Sequence, residues 1–126
     1  MTMGFTKSMI SMIDLTTIKR ITNNNTATIR LFLEVFADSA SKDLRELTLA
    51  IEREDVHQVN YFVHKLKSST QSIGFRSGHE ELQKIEDKLD LNHPLNPLVR
   101  IELLNVIRNC ELAVVEARRL LKDHTE

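Results

Sequence analysis

The chain has 126 residues, a length that suits one domain able to bury its own core without disulfide or metal staples. Its formal net charge is −1, with 17 basic against 18 acidic side chains, so the basic footprint of a nucleic-acid binder is missing. Cys110 is the only cysteine and no apolar run reaches membrane-span length, so an intramolecular disulfide is excluded, no membrane partner is expected, and the expected setting is cytoplasmic.

Three Gly and two Pro in the whole chain favour long helices, and no strand-like alternation occurs. Residues 1–12, "MTMGFTKSMISM", carry no signal-peptide pattern and read as a tail or an apolar cap. Asp14 can cap a short helix, "LTTIKRI", that puts Leu15, Ile18 and Ile21 on one face. "TNNN" at 22–25 is a turn signal. A long helix follows, with Ile29, Phe32, Leu33, Phe36, Ala40, Leu44, Leu47 and Ile51 as its apolar stripe, and with Glu34, Asp38, Lys42, Asp43, Arg45 and Glu46 on its other faces. Asp55 reads as the next cap, with Gln58 at the reciprocal position.

The following helix has the cleanest pattern. Val56, Val59, Val63, Leu66, Thr70 and Ile73 alternate steps of three and four, the seam of a helix packed in a bundle, and Gly74 stands where that helix should stop. Ser77 and Glu80 have capping-box spacing for a shorter helix bearing Leu82, Ile85 and Leu89. "NHPLNP" at 92–97 is a loop, with Asn96 as cap and Pro97 in the first turn of the last helix. That helix is expected to turn Ile101, Leu104, Ile107, Cys110, Val114, Ala117 and Leu121 inward. The expected fold is all-α: an antiparallel up-and-down four-helix bundle over residues 13–122 with a short additional N-terminal helix, leaving 123–126 as a tail. A bundle of this size is expected to be monomeric.

His64 directly follows a seam position, at the edge of the apolar stripe. Asn60, Tyr61, Lys67 and Ser68 are its neighbours three or four residues away. A lone histidine on a polar helix face is ordinarily a solvated residue. Here Ser68, Ser69 and Ser72 keep one flank small where an idle surface more often carries long charged side chains. An imidazole that stays partly uncharged near neutral pH is a good nucleophile and phosphate carrier, and a lysine one turn away offsets phosphoryl charge.

"HKLKSSTQSIG" resembles the signature of the histidine-containing phosphotransfer (HPt) domain family, with His64, Leu66, Lys67, Ser69, Thr70, Ile73 and Gly74 on its motif positions. The resemblance extends over roughly residues 13–122. It implies a phosphate carrier in a two-component phosphorelay: His64 accepts a phosphoryl group from a receiver-domain aspartate and relays it to a response regulator. Lys67, with Ser68 beside it, would hold the phosphoryl oxygens, and Glu86 falls where the family has a residue that orients the imidazole. The implied partners are receiver domains of response regulators or of a hybrid sensor histidine kinase. Tyr61, Lys65, Gln71 and Phe75, joined by Ile18 and Ile21, would form the partner surface. Two positions depart from the family pattern. Ser68 replaces the usual Gly, which bears on how closely a partner approaches, and Gly78 replaces an aliphatic residue, which implies loose packing at the start of the fourth helix.

The chain shows no nucleotide-binding glycine loop, so it is not expected to phosphorylate itself. No cofactor is expected on it, and the magnesium of the transfer is expected on the receiver. The rival readings are a structural or adaptor module that kept the fold without the transfer, and a metal-binding bundle. Glu54 and His57 offer one Glu-x-x-His spacing and no second one appears, so no metal ligands are assigned. Modification of Ser68, Ser69 or Thr70 instead of His64 is the weakest alternative. His79, His93 and His124 have no assigned role.

Overall fold

The computed structural model describes residues 11–123. The reading of residues 1–12 as a tail or cap falls mostly outside these residues. Among the described residues five helices follow in chain order: α1 (Thr16–Ile21), α2 (Thr26–Glu52), α3 (Val56–Ser72), α4 (Arg76–Lys88) and α5 (Pro97–Asp123). The four longer ones run up and down, and α2 packs on α3, α3 on α4, α4 on α5, and α5 back on α2. In that ring α3 and α5 stand diagonally opposite. Among the described residues no helix is long and apolar enough to cross a membrane.

Local chemistry explains where the chain turns. Asn25 accepts from Thr28 N at 2.9 Å and Asp55 from Gln58 N at 3.2 Å, each satisfying a free donor in the first turn of its helix. The ends of α1, α2 and α3 close in one way. A residue in the left-handed region (Asn23, Glu54, Gly74) lets the next N–H reach back to the carbonyl five residues earlier. The Asp55 N–H is used in this closure, bonded to Ala50 O at 3.0 Å, so Gln58 does not complete a reciprocal cap.

Gly74 meets a second demand. Its carbonyl accepts from Asp14 N at 3.1 Å, and a Cβ there would lie 2.1 Å from the Asp14 carbonyl oxygen. Only glycine lets the segment before α1 cross the α3–α4 corner so closely. Asp14 itself accepts from Thr16 N and Thr16 Oγ1, but it stands one residue before the cap position of α1, which Leu15 occupies. That segment is also held from the other side. The buried carboxylate of Glu116 takes Ser11 Oγ at 2.6 Å and Met12 N at 2.8 Å.

Of the α3 seam as read, Val59, Val63, Leu66, Thr70 and Ile73 are buried, while Val56 in the first turn is only half-buried. Several expectations need correction. Asp43, placed on a polar face, is buried, with one oxygen on Lys65 Nζ at 3.2 Å and the other without a partner among the described residues. Ser77 and Glu80 form no capping box: α4 begins at Arg76, and no side chain caps it. Gly78 does not loosen that helix, because the Phe75 ring packs against it, 2.4–2.8 Å from where a Cβ would stand. In α5 the inward residues of the first half are Val99, Leu103 and Val106, while Ile101 and Leu104 face outward. Aliphatic residues occupy both faces there, and apolar periodicity alone does not choose between them.

Candidate functional site

α3 and α4 lie side by side, and three residues of α4 at helical spacing face the His64 turn of α3: His79, Gln83 and Glu86. His64 is well exposed, its side chain 61% accessible, yet one ring nitrogen is engaged. Its Nδ1 lies 2.8 Å from Glu86 Oε2. Lys67 Nζ bonds the other oxygen, Glu86 Oε1, at 2.6 Å, and Gln83 Oε1 at 2.9 Å. One carboxylate therefore spans the histidine and the lysine.

The hydrogen bond from Lys67, with a further one from His64, holds the Glu86 carboxyl below its ordinary value against a smaller opposing effect of burial. An ionised carboxylate can only accept, so the proton of this bond sits on His64 Nδ1. The lone pair of the neutral ring is then on Nε2, the nitrogen that faces away from Glu86.

Below this pair, His79 Nδ1 lies 3.0 Å from the Lys67 carbonyl oxygen. A carbonyl accepts only, so His79 carries its proton on Nδ1 and ties α4 to the backbone of the site helix. Thr70 Oγ1 donates to the same carbonyl at 2.9 Å. Sequence reading gave His79 and Gln83 no role. The signal was present in the three-and-four spacing of 79, 83 and 86, a polar row on the side of α4 next to Leu82 and Ile85.

The structure brings His64, Lys67 and Glu86 together and leaves Ser68 exposed one turn from the histidine, its hydroxyl without a partner among the described residues. The expected partner surface holds only in part. Tyr61, Lys65 and Gln71 are exposed, and Lys65 Nζ, hydrogen-bonded to Asp43 and raised in pKa by it, sits 5.7 Å from the Tyr61 ring centre. Phe75 and Ile18 are core residues, shut off from any partner, because the α3–α4 corner and α1 fold over them. Ile21 is exposed at the end of α1. Missed from sequence were Leu31 and Val35 on α2. Both are more than half exposed, and both line a groove of about 260 Å³ with Phe32, Ser39, Ser69 and Ser72. Small serines on α3 keep that groove open.

The family model of the Hpt domain matches residues 31–117, most of the chain. The chain belongs to the Hpt domain family. This Hpt domain is thus a histidine phosphotransfer module of two-component phosphorelays, a class of phosphocarriers. Among curated proteins and solved structures, none matches it. The matched span begins inside α2 and takes in the whole α3–α4 site of this Hpt domain.

Proposed function

We propose that His64 of this Hpt domain is the phosphoacceptor, taking a phosphoryl group from a receiver-domain aspartate and passing it to a response regulator. The supporting observation is the Glu86 bond to Nδ1, which leaves Nε2 as an exposed nucleophile. In the transfer the Nε2 lone pair attacks phosphorus, the N–P bond forms, and the acyl O–P bond breaks, returning the electron pair to the aspartate carboxylate. The positive charge that the ring acquires is met by Glu86. Nothing in this scheme needs an ATP site on this chain, and the magnesium ion would belong to the receiver.

Lys67 has two tasks in this reading. Before transfer it keeps Glu86 ionised and in place; after it, the ammonium is one turn from the phosphoryl group and available to its oxygens, with the free Ser68 hydroxyl beside it. The receiver would dock over Tyr61, Lys65, Ser68 and Gln71. The Leu31–Val35 groove would be the apolar part of that surface, with Ile21 at its margin. The expected setting is cytoplasmic.

Incubation with a phosphorylated receiver domain tests the assignment. Acid-labile, alkali-stable label should appear on the wild type and be absent from His64→Gln, with unchanged circular dichroism. Equal labelling of both proteins would defeat it. Lys67→Ala should slow transfer and shorten the life of the phosphohistidine; if neither changed, the lysine would have no part in the chemistry.

A further inference from the structure

The outward face of α5 is apolar and has no apolar partner among the described residues. Ile101, Leu104, Leu112 and Val115 are 49 to 64% exposed. At 3.6 residues per turn all four lie within about 40° of Arg108 around the helix. They stand seven and four residues before Arg108, and four and seven residues after it. The pattern therefore reads the same in both directions along the helix.

Such a palindrome suits a twofold contact between identical surfaces, in which each residue of one copy meets its counterpart on the other. Two α5 helices laid antiparallel about Arg108 put Ile101 of one copy beside Val115 of the other, and Leu104 beside Leu112, at both ends at once. The charges obey the same symmetry. Arg108 and Glu111 are exposed one turn apart at the centre, and neither makes an ion pair among the described residues. In the antiparallel arrangement Arg108 of each copy comes beside Glu111 of the other, so the arginines near the axis are each met by a carboxylate.

We propose that two copies of this chain associate through an isologous, antiparallel contact of α5 centred on Arg108. The four apolar side chains leave roughly 400 Å² in water, as large as the principal patch of many monomers. Paired and rimmed by polar residues, two such patches bury on the order of 1,000 Å², the lower end of specific association, where contacts are weak, so a dissociation constant on the order of 10 μM is the expectation to test. The monomer expectation rests on chain size alone, and the outward turn of Ile101 and Leu104 is what bears against it. Because α5 is diagonal to α3 in the bundle, its outer face points away from His64. The pair would leave both histidines open, a carrier with two transfer sites.

Sedimentation velocity of the full chain, from about 1 μM to about 1 mM, tests the contact across the expected constant. The wild type should pass from monomer to dimer. Leu112→Glu should stay monomeric throughout with its helical circular dichroism intact. Arg108→Glu and Glu111→Arg should each weaken association at least about tenfold, and the double swap should restore it, since each exchanged pair again meets its opposite charge. A wild type monomeric over the whole range overturns the proposal. So does a dimer indifferent to Leu112→Glu, which would lie on another face. A dimer that forms only after removal of residues 1–10 also overturns it, because the chain's own N-terminus would then be the occupant.

Discussion

Glu86 Oε2 takes His64 Nδ1 at 2.8 Å across the seam between α4 and α3. The same carboxylate holds Lys67 through its other oxygen, at 2.6 Å. The histidine proposed to carry phosphate therefore has its tautomer and its ring orientation set by a neighbouring helix, and that helix is registered against α3 by His79 on the Lys67 carbonyl.

Removing this anchor should slow phosphotransfer while leaving the fold intact. Glu86→Ala is expected to lower the rate from a phosphorylated receiver by about tenfold to a hundredfold, by analogy with the loss of partners that orient metal-bound imidazoles. Nitrogen-15 shifts of His64 should move away from a pure Nδ1–H tautomer in that variant. If both tautomer and rate were unchanged, the orienting role would be wrong.

Stability should respond to acid through the same residue. The folded pKa of Glu86 lies below its ordinary value of 4.5, first because Lys67 bonds it. A carboxyl lowered on folding contributes stability that is fully present above its unfolded value and is lost as pH falls through the folded one. Wild type should therefore exceed Glu86→Gln in urea resistance at pH 7, and the difference should shrink as pH falls below 4.5. A constant difference across that range would contradict the linkage.

Gly78→Ala should destabilise the domain, against the direction of helix propensity. Alanine gains about 1 kcal/mol over glycine in a helix interior. Its Cβ, however, would lie 2.4–2.8 Å from three ring carbons of Phe75, a side chain with nowhere to move in the core. Overpacking of this kind costs about 1–3 kcal/mol, and the net loss should show in urea denaturation. A more stable variant would mean that the corner repacks freely.

At the end of α2 the sign reverses. Glu54 occupies the left-handed region at φ 54°, in the closure position that glycine usually fills. Glu54→Gly relieves a strain of about 1–2 kcal/mol at the cost of some unfolded-state entropy, so a gain of about 0.5–1 kcal/mol is expected in the same denaturation assay. A loss would show that the Glu54 side chain has a stabilising contact that outweighs the strain.

The α3 helix was legible residue by residue. Its seam from Val59 to Ile73 alternates cleanly, its cap is Asp55, and its stop is Gly74, so the exposed position of His64 followed from phase alone. The α5 phase was not legible. Ile101 and Leu104 compete with Val99, Leu103 and Val106 on a helix with aliphatic residues all round, and packing against α2 and α4 made the choice. Phe75 and Ile18 were misplaced for a related reason. Both lie near chain corners, where burial depends on what folds over them and periodicity carries no information.

By itself the sequence determined the helices, the bundle, and which histidine stands in water with a lysine one turn away. These depend on local propensity and on the phase of apolar residues, both written within one helix at a time. Only the tertiary structure decided that Glu86 would engage His64 and Lys67 together, that His79 would lock the two helices in register, and that Leu31 and Val35 would line a groove with Ser69 and Ser72. Each of these depends on the relative shift and rotation of two helices. That is settled by the packing of whole faces, and no single stretch of the chain contains it.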